Sequence, residues 1–322
     1  MSLLTSPGRF ERAIAAGAPI LTDGGIETEI MFGTDYPMDP DLQVGAMVLD
    51  AEGLPLIRAV YERYVADAER AAVPIVIGTP TFRASANFAA AAGRAGDVAA
   101  INAAAAAMHL QLAGAASTEV YVAGVLGPAR DAYTPEQALD AGAARAYHAE
   151  QAALLAQAGV DFLFAATFPA IEEAIGAGRA MAATGLPAVV SLILGPDGDV
   201  LDGTPLARAV ERLGAEVEPA LAYVSLSCIH TSLAAEALAA LPAADRARIR
   251  ELKANGSPLP TGELVRLGHL ESDPPELFAE RIWDLHERFG LQLIGGCCGT
   301  GSEHIAALAR RLALSAASSS SS

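Results

Sequence analysis

Cysteine is scarce in this chain of 322 residues, with three in all, and two of the three are adjacent. An odd number cannot form a complete set of disulfides, and adjacent cysteines bridge only with strain. The sequence therefore argues against a secreted domain held together by disulfides. It indicates a reducing, cytoplasmic location in which the thiols are free or bind a metal ion.

Positive charge is also scarce, because 21 lysine and arginine residues stand against 38 acidic residues and the net charge is −17. A chain with this balance repels the phosphates of nucleic acids and the surface of anionic membranes. We therefore expect small-molecule ligands, with neither nucleic acid nor membrane as a partner. The expected assembly is a monomer or a small homo-oligomer.

Long apolar runs are missing as well. The N-terminal segment carries Arg9, Glu11 and Arg12 where a signal peptide needs an unbroken apolar stretch. No run approaches the roughly 20 apolar residues that a membrane-spanning helix requires. These features predict a soluble protein.

Short apolar segments alternate with helical patterns along the chain. The segments are rich in Val, Ile and Leu and are bounded by Gly, Pro or Asp, which is typical of buried parallel strands. The predicted strands are Ile20–Thr22, Pro74–Gly78, Val120–Leu126, Phe162–Ala165, Ala188–Leu194, Ala222–Ser227, Ile249–Lys253 and Gln292–Ile294. The predicted helices include Leu54–Ala71, Pro135–Ala158, Ala170–Thr184, Pro274–Phe289 and Ser302–Leu314.

Eight strands that each precede a helix or a long loop predict parallel pairing with right-handed crossovers. Eight such units in this length favour a single-domain (β/α)8 TIM barrel over an open sheet. The open sheet would need a glycine-rich fingerprint after the first strand, which residues 23–28 lack. We expect the barrel at 1–314, a functional loop at 259–273 and a disordered serine-rich tail at 315–322.

All three cysteines lie at the carboxyl ends of predicted strands. Cys228 ends the sixth strand, and Cys297 and Cys298 follow the eighth. Barrel active sites are built on this face. Three thiolates that meet there predict a zinc site with its fourth position open, which is the arrangement of a catalytic zinc ion. Three buried, inert cysteines are the alternative.

The glycines beside the adjacent pair have a predicted role. Neighbouring side chains normally diverge, so two adjacent cysteines reach one metal ion only where the backbone turns tightly. We expect Gly295, Gly296 and Gly299 to allow this turn by adopting positive φ.

The segment Ile294-Gly-Gly-Cys-Cys-Gly-Thr-Gly-Ser-Glu-His304 resembles the signature of the homocysteine S-methyltransferase family. The opening Leu21-Thr-Asp-Gly-Gly-Ile-Glu-Thr28 is similar to the first-strand motif of that family. Residues 81–85, 124–128 and 158–162 match further landmarks, and the resemblance extends from about residue 19 to 313.

The resemblance implies a zinc-dependent barrel that transfers a methyl group to the sulfur of homocysteine and so forms methionine. The family's donors are sulfonium or quaternary ammonium compounds, or methylfolate in a larger modular enzyme. The chain shows no appended folate or cobalamin domain and no long C-terminal arm, so we expect a sulfonium donor such as S-methylmethionine. Zinc would lower the pKa of a bound thiol below its ordinary value of about 8.5.

The chain departs from the family pattern at the end of the fourth strand. The family usually has a Glu-Thr pair there, whose carboxylate is associated with the amino group of homocysteine, whereas this chain has Ala166 and Thr167. Ser227 also stands where the family tends to have asparagine. We therefore expect homocysteine to bind poorly, and a thiol or selenol without a free α-amino group to serve at least as well. Otherwise Asp23 or Glu27 must bind the ammonium group.

Arg83 could pair with a substrate carboxylate through two hydrogen bonds, although a surface arginine is the alternative. Three roles are open for His230, which are a hydrogen-bond donor next to the site, an acid–base group and an ordinary loop histidine. The full set of predicted substrate contacts is Asp23, Gly24, Gly25, Glu27, Thr81, Arg83 and Thr167.

Two other functions remain open at this point. Lys253 is the only lysine and lies near the end of the seventh predicted strand. A desolvated lysine inside a barrel is the starting point for Schiff-base chemistry, which would make the protein an aldolase or a dehydratase. The third possibility is a zinc-binding regulatory or carrier protein that has lost the methyl-transfer reaction.

Overall fold

A computed structural model describes residues 8–259 and 269–319 and shows a closed barrel of eight parallel strands. The strands follow one another around the barrel in sequence order, and the first pairs with the eighth. They are β1 Ile20–Thr22, β2 Ile75–Gly78, β3 Val120–Leu126, β4 Phe162–Phe168, β5 Ala188–Leu192, β6 Leu221–His230, β7 Ile249–Asn255 and β8 Leu293–Gly296. The predicted TIM barrel is confirmed.

Helices surround the barrel. In the part of the chain that the structure describes, they are α1 Arg9–Ala16, α2 Ile26–Gly33, α3 Val44–Met47, α4 Gly53–Ala71, α5 Ala86–Ala91, α6 Val98–Ala115, α7 Ala141–Ala158, α8 Ile171–Ala182, α9 Leu206–Val217, α10 Thr231–Ala240, α11 Ala243–Arg246, α12 Pro275–Phe289 and α13 Ser302–Ser319.

Helix α7 begins at Ala141 and not at Pro135 as predicted. The carboxylate of Asp140 accepts hydrogen bonds from the backbone N–H groups of Gly142 and Ala143, which caps the helix at this position. The preceding Pro135–Gln137 forms a separate 3₁₀ turn.

Helix α13 is longer than predicted, because it continues past Leu314 to Ser319. The two alanines Ala316 and Ala317 favour helix in this stretch, although the other three residues are serines. The expected disordered tail at 315–322 is therefore helical as far as Ser319, and residues 320–322 lie outside the described residues, as does most of the predicted functional loop, 260–268.

Helix α1 closes the amino-terminal end of the barrel. Its Phe10 is buried and stacks on Phe162 of β4 with ring centroids 3.8 Å apart. The ring of Tyr121 in β3 packs edge-on against Phe10 at 5.8 Å. Arg9 forms an ion pair with Asp161, which fixes the helix to the start of β4. In the described part of the chain, the main cavity opens at the opposite, carboxyl-terminal face of the barrel.

The segment Ala95–Ala115, which includes α6, is long and apolar enough to cross a membrane by length and composition alone. Its buried residues include the polar Asn102 and His109. The helix packs against β3 and α7, which is the place of an outer helix in a barrel.

Candidate active site

The three cysteines converge at the carboxyl ends of β6 and β8. Their sulfur atoms lie within 4.8 Å of one another, and the Sγ atoms of Cys228 and Cys298 are 3.9 Å apart. Tetrahedral zinc ligands with bonds to sulfur of about 2.3 Å lie about 3.8 Å from each other. The cluster therefore fits one metal ion with little movement. No histidine or carboxylate among residues 8–259 and 269–319 joins it, which leaves a fourth position for a ligand.

The backbone at Cys228 is strained, and it directs the side chain to this point. The pairing of β6 with β7 shifts register between Ser227 and Ile229, and Cys228 has a φ of 57°. Thr167 lies at a similar register shift in β4 and has a φ of 60°. Bulges redirect side chains, and left-handed backbone at residues other than glycine is concentrated at functional sites.

A chain of hydroxyl groups supports the Cys228 sulfur. The Oγ1 of Thr167 donates to Sγ of Cys228 at 3.6 Å and lies 3.0 Å from Oγ of Ser227. Ser227 is in turn 2.7 Å from Oγ of Ser191 in β5. The three strands β4, β5 and β6 are thereby linked behind the cysteine.

The glycines near the adjacent cysteines work differently from the prediction. Of the three, only Gly299 has a positive φ, of 78°. A Cβ atom at Gly295 would collide with Thr22, and one at Gly296 would collide with Thr300. These two glycines are required for close approach of the backbone, so the prediction of positive φ is wrong for them.

The three thiols influence one another strongly. The thiols of Cys297 and then Cys298 donate hydrogen bonds to Cys228 and hold the pKa of that thiol well below its usual value. The same contacts to Cys228 raise the pKa values of Cys297 and Cys298. One thiolate is therefore stabilised by its two neighbours, and a divalent cation at this point would stabilise all three as thiolates.

A cavity of about 660 Å³ opens beside the cysteines and extends into the barrel. Its inner walls are largely apolar and include Phe162 and Phe164 of β4 and Val76 of β2. The large hydrophobic residues that line it and are exposed are Met31, Phe32, Tyr133 and Leu270. The site therefore combines a sulfur cluster with an apolar chamber large enough for two small substrates.

Most predicted substrate contacts line this cavity, namely Asp23, Gly24, Gly25, Glu27, Arg83 and Thr167. Thr81 is different, because it is fully buried and its hydroxyl donates to the backbone oxygen of Val125 at 2.6 Å. It also lies 2.7 Å from Oγ1 of Thr79, which does line the cavity. Thr81 thus fixes the segment that leads to Arg83 and does not contact the cavity itself.

Asp23 and Lys253 form a buried ion pair between the end of β1 and β7. The Nζ of Lys253 also donates to the backbone oxygen of Asp23 at 3.2 Å, and Oδ2 of Asp23 accepts the Gly78 N–H at 2.7 Å. Burial acts to lower the pKa of Lys253, but the charges of Asp23 and then Glu251 raise it overall. A Schiff-base lysine needs a lowered pKa, so the structure argues against the lyase hypothesis.

Glu27 lies in the first turn of α2 and is half-buried at the cavity wall. Within the described residues, no hydrogen bond or ion pair joins its carboxylate to another side chain. Burial raises the pKa of Glu27, and the nearby Cys228 and Asp23 act in the same direction, whereas the charge of Arg83 lowers it. A cation in the cavity would favour its ionised form.

Arg83 is a second charged group on the cavity wall. Its Nη1 donates to the backbone oxygen of Pro40 at 3.3 Å, and its guanidinium lies 5.0 Å from the centre of the Phe88 ring. Its Nε is buried without a hydrogen-bond partner, and no carboxylate in the described part of the chain forms an ion pair with it. Arg83 therefore has donors for an anionic group.

His230 does not line this cavity. Its Nδ1 accepts a hydrogen bond from the backbone N–H of Ser232 at 3.3 Å, at the start of α10. Its Nε2 lies 3.1 Å from Oδ2 of Asp273, which also pairs with Arg281. These contacts give His230 a structural role on the outside of the barrel.

Among the cavity residues that the sequence did not indicate, Glu251 and Tyr133 act on the charged groups of the site. Glu251 of β7 is buried, and burial raises its pKa to about 7, although the charge of Lys253 opposes the shift. It lies two residues from Lys253 on the same face of the strand, so strand alternation could have found it. Tyr133, between β3 and α7, lines the cavity and helps to lower the pKa of Cys228. No pattern in the sequence indicates this contact.

The chain is similar to proteins of known activity. A family model described as homocysteine S-methyltransferase matches residues 20–312. S-methylmethionine–homocysteine S-methyltransferase BHMT2 of Mus musculus is 30% identical over 178 residues, which are 51% of this chain and 47% of that relative. Betaine–homocysteine S-methyltransferase 1 of Mus musculus is 29% identical over 179 residues, 51% of this chain and 42% of the relative. The chain thus spans about half the length of these curated relatives.

A solved structure resembles the whole barrel. The metallated form of the homocysteine methyltransferase MmuM from Escherichia coli matches with a TM-score of 0.74 at 23% identity, covering 93% of this chain and 99% of that one. At 23% sequence identity, this structural similarity shows the fold alone. The family match includes the first-strand loop and both cysteine segments, and the chain therefore belongs to the homocysteine S-methyltransferase family.

Proposed function

We propose that this protein is a zinc-dependent S-methyltransferase that moves a methyl group from a sulfonium-type donor to the sulfur of a small thiol. The observation that carries the proposal is the cluster of Cys228, Cys297 and Cys298, whose sulfur atoms lie within 4.8 Å beside a deep cavity. Three protein ligands with a free fourth position are typical of catalytic zinc. Membership of the family supports the same reaction class.

The residues of the site suit this reaction. A zinc ion held by the three cysteines would supply the charge that keeps an acceptor thiol ionised at neutral pH. The acceptor sulfur forms a bond to the methyl carbon while the donor's carbon–sulfur bond breaks, and the donor leaves as a neutral thioether. An anion and a cation are consumed together, so the apolar walls of Phe162 and Phe164 favour the transfer by excluding water.

The acceptor is a thiol or selenol, either homocysteine or a relative of it. Arg83 offers hydrogen-bond donors to a carboxylate on this substrate. Ala166 lines the cavity and leaves β4 without an acid at that position. How well homocysteine is used therefore depends on whether another carboxylate binds its ammonium group in place of the missing acid.

The proposed donor is a sulfonium compound such as S-methylmethionine. The name of the Mus musculus relative BHMT2 specifies this donor, and that of the betaine-dependent relative specifies a quaternary ammonium compound. Both donors carry the methyl group on a positively charged sulfur or nitrogen atom, and a chain with a net charge of −17 tolerates such a centre better than an anionic one. We further propose a cytoplasmic enzyme, since a reducing compartment keeps three unbridged cysteines available for a metal ion.

The test is a matrix of donors and acceptors. Zinc-loaded protein is incubated with S-methylmethionine or betaine and with several thiols, and the methylated product is measured by mass spectrometry. We expect methyl thioether from the sulfonium donor, and none from the Cys298→Ser variant. A protein that binds zinc but methylates no thiol would contradict the proposal and favour a zinc-binding carrier.

A further inference from the structure

Five carboxylates line the cavity, and four of them already have a partner. Asp23 is bound by Lys253 and by the backbone of Gly78, as described above. Asp131, on the β3–α7 loop, accepts a hydrogen bond from the Tyr133 N–H at 3.1 Å. Its second oxygen accepts one from the hydroxyl of Thr134 at 3.2 Å. Asp23 is thus held by an ion pair and Asp131 by hydrogen bonds within its own loop.

The remaining acids differ in their surroundings. Glu271 is exposed and pairs with His269 at 3.7 Å. Glu251 lies on the barrel floor, where Lys253 already supplies a positive charge and burial keeps the carboxyl largely protonated up to a pH of about 7. Glu27 alone among the five has no partner side chain in the described part of the chain.

Glu27 is also near the reacting position. It lines the same cavity as Cys228, which is one of the proposed metal ligands, and as Arg83. The cavity therefore presents, among its charged groups, an acid without a side-chain partner, Glu27, and a guanidinium without a carboxylate partner, Arg83. A thiol that carries both an ammonium and a carboxylate group matches these two charges.

We propose that Glu27 binds the ammonium group of an amino-thiol acceptor and thereby takes the place of the acid that Ala166 does not supply. This inference rests on the proposed function, because it concerns the acceptor in that reaction. Without an acid at the end of β4, homocysteine either binds poorly or has its ammonium group bound by another acid. This inference selects the second outcome. The chain is expected to use an amino-thiol, with its cationic group recognised from α2 and not from β4.

The test compares two acceptors that differ only in the amino group, homocysteine and 4-mercaptobutanoate. Their dissociation constants for zinc-loaded protein are measured by calorimetry without a methyl donor. We expect Glu27→Gln to weaken homocysteine binding by about tenfold to a hundredfold, since a hydrogen bond to a charged group is lost. The affinity for 4-mercaptobutanoate should change little. Glu27→Asp, which keeps the charge, should retain part of the preference.

Glu29→Gln is the matched control, because it removes a carboxylate from the same helix but outside the cavity, where Arg63 and Ser302 are its partners. It should leave the ratio of the two affinities unchanged. The double variant Ala166→Glu/Glu27→Gln should regain homocysteine binding. Circular dichroism melting shows whether each variant is folded.

An equal loss of both thiols in Glu27→Gln, or no loss of either, would overturn the inference. If Glu27→Gln does not fold, equal affinity of the wild type for the two thiols overturns it independently. Failure of the proposed function has a different signature, in which neither thiol binds the zinc-loaded wild type or neither is methylated.

Discussion

The hydroxyl of Thr167 donates a hydrogen bond to the sulfur of Cys228, with the two atoms 3.6 Å apart, and both residues have a left-handed backbone. Each such conformation costs about 1–3 kcal/mol at a residue other than glycine. The two bulged strands β4 and β6 therefore hold strain at the point where the cysteine must face the cavity.

Two substitutions of Thr167 separate the effect of its backbone strain from the effect of its hydrogen bond to Cys228. Thr167→Ala keeps the Cβ atom and loses the donor, whereas Thr167→Gly loses both the donor and the strain. We expect Thr167→Gly to be the more stable variant by about 1 kcal/mol. Both should bind zinc more weakly than the wild type. Urea unfolding and titration with a competing chelator measure these effects, and a more stable Thr167→Ala would contradict the interpretation.

The Asp23–Lys253 pair should behave as a unit. Lys253→Met leaves Asp23 buried without its partner, and we expect a loss of about 3–5 kcal/mol in the free energy of unfolding. The double variant Asp23→Asn/Lys253→Met should lose less free energy of unfolding than the sum of the losses in the two single variants. Removing the exposed Arg58–Glu62 pair is the control and should cost less than about 1 kcal/mol. Additive effects at Asp23 and Lys253 would count against the buried pair.

Glu251 should make the protein less stable as the pH rises. Its carboxyl keeps a proton up to a pH of about 7 in the folded state but titrates near 4.5 when unfolded, so the folded state binds more protons between these values. The free energy of unfolding then falls by about 3 kcal/mol from the lower to the higher pH. His109 acts in the opposite sense, because burial lowers its pKa to about 4 and stability is lost as the pH falls below about 6.5.

The variant Glu251→Gln isolates one of these opposing effects. Its stability relative to the wild type should increase as the pH rises between about 4.5 and about 7. Urea unfolding at several pH values gives this difference directly. A difference that does not depend on pH would show that Glu251 does not titrate in this range.

Much of the fold and the convergence of the three cysteines could be predicted from the sequence, because both depend on local patterns. Buried strands have a recognisable composition, and cysteines at strand ends must meet on one face of a barrel. The substrate contacts depend on distant partners instead. Asp23 and Glu27 are only four residues apart, but Lys253, 230 residues away from Asp23, binds Asp23 and makes no ion pair with Glu27. Local sequence does not distinguish two such acids.

The direction in which an isolated side chain points could not be predicted from the sequence either. Thr81 and Thr79 are two residues apart, yet only Thr79 lines the cavity, because both follow the end of β2 at Gly78, where the alternation of a strand no longer applies. His230 is the last residue of β6, where its ring caps α10 on the outside of the barrel. Each outcome is set by where the loop turns, which the pattern of residue types does not reveal.

The variant Ala166→Glu tests whether Glu27 already serves as the acid that binds the ammonium group. In the wild-type background a second acid should add little to homocysteine use, because Glu27 already binds the ammonium group. It should also disfavour acceptors without an amino group, since an unpaired buried carboxylate is costly. The kcat/KM values for homocysteine and 4-mercaptobutanoate measure both effects. A large gain for homocysteine would show instead that the wild type lacks an effective ammonium site.

The central claim is that Cys228, Cys297 and Cys298 hold a zinc ion with one position open to the acceptor sulfur. Replacing Cys297 or Cys298 with Ser should release zinc that the wild type binds at one ion per chain. Full retention of zinc in both variants would remove these residues as ligands.

X-ray absorption at the zinc edge tests the claim most directly. For the zinc-loaded wild type, we predict three sulfur ligands at about 2.3 Å and one oxygen or nitrogen ligand at about 2.0–2.2 Å. Adding the acceptor thiol should replace the lighter ligand with a fourth sulfur. Fewer than three sulfur ligands at the start, or no change at saturating thiol, would contradict the account.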